Sequence, residues 1–229
     1  MKPIRIAMWS GPRNISTTLM RSFSSRSDTY VTDEPFYAYY LKISKAAHPG
    51  YKEILKSNAT NYDHIVSSLM KQIPDNKSVW YQKHMAHHLD PNDNLKWTDN
   101  FMNCLLIRDP KHVIASYINK NHLMHMDELG YTQLLKLFQH HDNQIPIVDA
   151  KDILLNPEGV LRQLCSLFDI VFEDGMLSWD TGPHPQDGIW GKYWYDKLWK
   201  TTTFSVYEEK ELIIDDTYKD ILDKCIQIY

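Results

Sequence analysis

Short apolar runs alternate along the chain with longer stretches whose apolar positions recur at helical spacing. Residues 4–9, 29–32, 78–83, 103–107 and 145–149 read as strands, the run Asn103-Cys104-Leu105-Leu106-Ile107 most clearly as a buried one. A first helix is expected from Thr17 to about Arg26, with Leu19, Met20 and Phe23 inward. Pro35 suits the first turn of a second helix, carrying Phe36, Tyr37, Tyr39, Tyr40 and Leu41. Further helices are expected from about 111 to 119 and from roughly 127 to 141. A later one has Asn156 as its cap and Pro157 in its first turn, with Val160, Leu161, Leu164, Cys165 and Phe168 inward. Strands alternating with helices predict an α/β fold: a central parallel sheet covered on both faces.

Two stretches break that rhythm. Residues 48–78, interrupted at His48-Pro49-Gly50 and at Pro74, read as a helical insertion over the sheet edge, with Val66, Leu69, Met70 and Ile73 as its apolar stripe. Residues 179–204 hold Trp179, Trp190, Trp194 and Trp199 among glycines and prolines and read as an irregular aromatic flap. A closing helix is expected from about 208 to 228.

The 229 residues fit a single domain, 1–229, and a hydrophobic fraction of 43% with 24% charged residues is that of a soluble globular protein. The net charge of −4 argues against a nucleic-acid binder relying on a broad basic face. Cys104, Cys165 and Cys225 are odd in number and widely spaced, which suits free thiols in a reducing compartment. No run reaches the ~18–20 apolar residues of a membrane span. The N-terminus turns polar by Ser10, too soon for a signal-peptide core. A cytoplasmic protein without a membrane partner is expected. Oligomeric state is not readable.

The chemistry begins where the first strand ends. Gly11 and Pro12 make a tight turn, and Ser16, Thr17 and Thr18 open the helix that follows. Exposed N–H groups and the dipole of a helix N-terminus make an anion site. The three hydroxyls can cap that turn or donate to an oxyanion, and Arg13 adds a forked cation. A Walker A loop, G-x-x-x-x-G-K-[ST], counted from Gly11, finds Ser16 at its second glycine, Thr17 at its lysine and Thr18 at its hydroxyl position. The missing lysine argues against ATP or GTP cleavage and for another phosphate ligand. The other candidate residues also follow strands: Glu34 in Asp33-Glu34-Pro35, Lys83 with His84, and Arg108 in Arg108-Asp109-Pro110, with Ser116 eight residues beyond Arg108. In parallel sheets ligands sit beyond the carboxyl ends of strands. His84 and His88 stand four apart as in H-E-x-x-H, but Met85 occupies the glutamate position, so no metal is expected there.

Together these pieces resemble the sulfotransferase family that uses 3′-phosphoadenosine 5′-phosphosulfate (PAPS) as donor. The family's loop, Pro-[Lys/Arg]-Ser-Gly-Thr-Thr, is matched by Pro12-Arg13-Asn14-Ile15-Ser16-Thr17, with Asn14 and Ile15 departing from Ser-Gly. Its 3′-phosphate motif is matched by Arg108-Asp109-Pro110 through Ser116. A third likeness runs from Val148 to Phe168. The resemblance covers roughly residues 4–170. It implies a P-loop NTPase-like three-layer αβα fold and sulfuryl transfer to a hydroxyl or amine of a small acceptor, leaving 3′-phosphoadenosine 5′-phosphate (PAP). It further implies donor binding by residues 11–18, Arg108 and Ser116. Sulfuryl transfer works by positioning and charge and requires no catalytic metal. Arg13 would stabilise the leaving phosphate. Glu34 is the favoured general base, with His84 the alternative, and Lys83 would touch the sulfate or acceptor. Two other readings stay open, a non-catalytic nucleotide-binding protein and an atypical P-loop kinase or nucleotide hydrolase.

Overall fold

The computed structural model describes residues 3–209 and 211–229. Strand β1 (Ile4–Ser10) is its spine. Ile6 and Met8 enter one apolar cluster and Ala7 and Trp9 another, so both faces of the strand are covered. The chain continues through α1 (Ser16–Ser24), β2 (Thr29–Asp33), α2 (Tyr37–Ser44), α3 (Tyr51–Ser57), α4 (Tyr62–Leu69) and β3 (Val79–Met85). Then come β4 (Met102–Ile107), α5 (Pro110–Ile118), α6 (Tyr131–His140) and β5 (Ile147–Asp149). The remaining helices are α7 (Ala150–Leu155), α8 (Pro157–Leu167), α9 (Gly191–Trp194) and α10 (Lys219–Ile228). The strands form one parallel sheet in the order β2-β3-β1-β4-β5, with Ile6 opposite Tyr81 on one side and Met102 on the other.

Leu19, Met20 and Phe23 of α1 and Leu161, Leu164 and Cys165 of α8 cover one face. Ile65 and Leu69 of α4 and Leu134 and Leu137 of α6 cover the other. The connection after β1 thus crosses one face, and the connections after β2 and β4 cross the opposite one. Loops that part in this way open a crevice at the C-terminal end of β1.

The structure amends several sequence expectations. Pro35 lies before the second helix, which starts at Tyr37. In the 48–78 insertion Ile65, Leu69 and Ile73 face the core while Met70 is 38% exposed. The expected helix from 127 splits into a single turn, Met126–Leu129, and α6, with Gly130 between them at φ 78°. The closing helix begins at Lys219, and Lys210 lies outside the described residues. Helix α7 is additional; the Asp149 carboxylate accepts from Lys151 N at 2.7 Å and starts it directly from β5. No helix among the described residues is long and apolar enough to cross a membrane.

The irregular stretch near 184–201 is fixed rather than loose. Asp187 takes both Oδ atoms to Arg21 Nη2, at 2.9 and 2.8 Å, in a buried ion pair, and also accepts from Trp199 Nε1 at 2.9 Å. Gly188 N donates to Asp33 at 3.0 Å. Trp190 and Tyr195 pack with Tyr37, Leu41 and Ile54. The aromatic segment is therefore a wall beside the crevice, held by α1, α2 and α3.

Candidate active site

A cavity of about 360 Å³ fills the crevice, within the ~300–1,000 Å³ usual for small-molecule sites. Residues 12–18 line one end. Gly11 does not line it; a Cβ there would lie 2.2 Å from the Leu129 carbonyl oxygen, so the glycine is required by packing. Arg13 and Ile15 both adopt left-handed backbone, at φ 66° and 58°. Ile15 stands where the resembled motif has glycine and forms the N-cap of α1. For a β-branched residue that conformation costs about 1–3 kcal/mol.

No side chain caps α1, and no acidic residue sits in its first turn. Capping by Ser16, Thr17 or Thr18 is thus not what their hydroxyls do. Ser16 Oγ leans on Met85 Sδ at 3.9 Å, and Thr17 and Thr18 line the cavity. The first-turn N–H groups have no intrahelical acceptor and meet the cavity. Buried Asn14 fastens the loop to β4 through Nδ2 to Leu106 O at 3.2 Å.

A second cationic element joins the first. Asp109 caps α5, accepting from Lys111 N at 2.7 Å, and Pro110 occupies the first turn. That start sets Ser116 against the loop: Arg13 Nε donates to Ser116 Oγ at 2.8 Å. Arg108 Nη1 donates to the Arg13 carbonyl at 2.8 Å, while Tyr131 OH holds the Arg108 carbonyl at 2.7 Å. Burial lowers the pKa of both guanidinium groups, and the charge of Arg13 lowers that of Arg108 further. Among the described residues neither is ion-paired. Lys120 and Lys197 line the same cavity, whereas Lys192 is tied to Glu53 at 2.8 Å outside it, and Lys200 is not in the lining.

The other end is acidic. Lys83 Nζ lies 2.6 Å from Glu34 Oε1, 3.0 Å from Asp33 Oδ1 and 2.8 Å from Tyr195 OH. Tyr195 OH donates to the Asp33 carboxylate, with Oδ2 at 2.8 Å. Burial raises the Glu34 pKa, the Lys83 charge opposes this and the Asp33 charge adds to it; the net direction is upward. Burial works against the Lys83 charge, but the two carboxylates outweigh it and its pKa rises. Glu34 sits at φ 42° where β2 hands over to α2, which turns its carboxylate into the cavity.

His84 is not in the cavity. It is buried on the opposite side of β3, stacked on Trp9 at 4.2 Å with Nε2 3.1 Å from Gln82 Oε1, and burial drops its pKa to about 3. Alternation along the strand decides this: Lys83 faces the site, so His84 faces away. The sequence reading missed His87, His48, Tyr37 and Trp194 as cavity residues. Burial, with help from His48 and Lys83, lowers the His87 pKa to about 3, so its imidazole is neutral. Trp194 Nε1 donates to Tyr37 OH at 3.1 Å, which meets His48 Nδ1 at 2.8 Å. Only their nearness in sequence to Glu34, His84 and the tryptophan-rich segment could have signalled them. Among the described residues His84, His87 and His88 do not gather ligand atoms around one point.

Known proteins bear on this arrangement in three ways. A protein of Arabidopsis thaliana named branched-chain-amino-acid aminotransferase-like protein 2 is 32% identical over 98% of this chain, and a second, aminotransferase-like protein 1, is 31% identical over all of it. The chain spans only about 40% of the length of these relatives. Among solved structures, a sulfotransferase domain from the curacin biosynthetic pathway aligns over 98% of this chain and 97% of its own, with a TM-score of 0.55 and 15% identity. A sulfotransferase from Alicyclobacillus acidocaldarius aligns over 80% of this chain and 88% of its own, with a TM-score of 0.56 and 11% identity. At such identities these two establish the fold. The family described as sulfotransferase domain matches residues 4–229, that is, both cationic elements, the acidic end and the closing helix together. The chain belongs to the sulfotransferase domain family.

Proposed function

We propose that the protein moves a sulfuryl group from PAPS to a hydroxyl or amine of a small acceptor and releases PAP. The observation that carries this reading is the meeting of Arg13, Ser116 and Arg108 within 2.8 Å contacts, in one cavity with Glu34. The first turn of α1 and Arg13 take the 5′-phosphosulfate, and Arg108 with Ser116 takes the 3′-phosphate. The two guanidiniums, neither in a direct ion pair among the described residues, give the cavity end the positive charge that a doubly phosphorylated ligand requires.

The acceptor oxygen or nitrogen attacks sulfur in line while the bond from sulfur to the bridging phosphate oxygen breaks. Glu34 takes the acceptor proton, and its raised pKa makes it a better base than an ordinary carboxylate. Lys83 holds Glu34 in place and, as a cation in the cavity lining, would steady the transferring group. Charge that builds on the 5′-phosphate is met by Arg13 and the loop N–H groups. His84 has no part in proton transfer from its place against Trp9. The setting is a reducing, cytoplasmic one, in keeping with three buried unpaired cysteines.

The test is incubation with sulfur-labelled PAPS and a panel of phenols, alcohols and amines. Label passing to an acceptor with equimolar PAP release supports the reading. Tight binding of PAPS without transfer to any acceptor favours a nucleotide-binding protein, and magnesium-dependent ATP turnover favours the kinase or hydrolase alternative.

A further inference from the structure

At the opposite end of the sheet, three side chains converge that sulfuryl transfer does not use. Asp99 lies in the turn Lys96–Asn100 that precedes β4, His140 closes α6, and His141 follows it. Their ligand atoms all lie within 4.8 Å of one another: His140 Nε2 is 3.0 Å and His141 Nδ1 is 3.9 Å from Asp99 Oδ1. Tetrahedral ligands at zinc-like bond lengths stand about 3.3 Å apart, so these spacings need only small rotamer shifts.

The hydrogen bonds behind the cluster fix the protons. Buried Thr98 Oγ1 donates to the Leu95 carbonyl at 2.6 Å, so its one proton is committed. It therefore accepts from His141 Nε2 at 2.9 Å. That assigns the His141 proton to Nε2 and leaves the Nδ1 lone pair facing a carboxylate oxygen. That lone pair and the Asp99 carboxylate face one another across 3.9 Å, with His140 beside them. A second-sphere bond that fixes the tautomer is what metal-ligating histidines use. The C-terminal end of α6 adds partial negative charge.

We propose that Asp99, His140 and His141 bind a borderline divalent cation of the zinc class, with water completing the coordination. Two imidazoles and one carboxylate suit zinc, cobalt, nickel or copper rather than magnesium or calcium. On binding, the His140 proton now shared with Asp99 moves to the other ring nitrogen or to solvent. The cation ties the end of α6 to the turn before β4 and so serves stability, at the far end of the sheet from the cavity.

The experiment uses the full chain, freed of metal with chelator, titrated with zinc ion, and its variants Asp99→Asn and His141→Gln. Asp99 is exposed and Asp99→Asn keeps its shape, while in His141→Gln the side-chain amide can still donate to Thr98; unchanged circular dichroism of both variants checks that the fold is retained. Expected is one zinc ion per chain, a rise in Tm on adding it, and an affinity at least about tenfold weaker in each variant. Cobalt bound at the same site should show the intense visible bands of tetrahedral coordination, lost in both variants. Zinc affinity unchanged in the variants, or no binding by about 0.1 mM zinc, would overturn the proposal. So would a nuclear magnetic resonance spectrum showing His141 protonated at Nδ1 at neutral pH and undisturbed by zinc.

Discussion

Arg13 Nε lies 2.8 Å from Ser116 Oγ, and through that contact the turn after β1 and the second turn of α5 become one surface. Residues 103 apart in the chain meet because β1 and β4 are neighbours in the sheet. Both elements leave their strands at the same edge, so the two cationic elements face one cavity.

Arg108 should distinguish phosphates. A charge-assisted contact to a 3′-phosphate contributes about 1.5–3 kcal/mol, roughly 10–150-fold in affinity. Arg108→Ala is expected to weaken PAP binding by that factor and adenosine 5′-phosphate far less, measured by calorimetric titration of both. Equal losses would contradict the 3′-phosphate assignment.

Glu34→Gln keeps shape and removes the proposed base. Turnover should fall about 10²–10⁴-fold with PAP affinity nearly intact. In the parent protein the rate should fall as pH drops through the Glu34 pKa, and that acid limb should lie above the ordinary carboxylate value because burial and Asp33 raise it. For stability the sign is the reverse: a carboxyl with raised pKa favours the fold when protonated, and the contribution is lost as pH rises through its folded pKa. Retained turnover in the variant would remove Glu34 from the reaction.

His84 offers a separate check. Its pKa near 3 lies below the usual 6.5, so the unfolded chain binds a proton that the fold refuses. The resulting stability is present above pH 6.5 and is lost as pH falls toward 3. His84→Phe keeps the stack on Trp9 and should reduce the loss of stability between about pH 7 and 5 by about 2 kcal/mol, read from urea midpoints. Turnover at neutral pH should survive. A dead but folded variant would return His84 to the chemistry.

Gly11→Ala places a Cβ against the Leu129 carbonyl, backbone against backbone. Neither side can swing aside as a flexible side chain would. Expected is a loss of about 2–4 kcal/mol in urea unfolding, with weaker PAP binding as the loop shifts. An unchanged midpoint would show that the turn has slack.

The central strands were legible because Ile6 to Trp9 and Cys104 to Leu106 are buried on both faces, which leaves an unbroken apolar run. The charged residues of the cavity were legible for a related reason: strand ends in a parallel sheet gather at one edge, so Arg13, Glu34, Lys83 and Arg108 could be named together. Which face a residue takes at a strand end was harder. Lys83 and His84 are adjacent, and one position of register separates a cavity side chain from a buried one. Ile15 shows the limit of motif matching, because tertiary contacts hold an isoleucine in a conformation that composition assigns to glycine. The wall of Tyr37, His48 and Trp194 was hidden because its members come from three segments with no shared period.

The most direct measurement is calorimetric titration of the full chain with PAP and, separately, with ATP and magnesium. One PAP per chain, bound at least about tenfold more tightly than ATP, is the expected result. Equal or tighter binding of ATP, with PAP binding unaffected by loss of the Arg108 guanidinium, would contradict a donor site built from Arg13, Arg108 and Ser116.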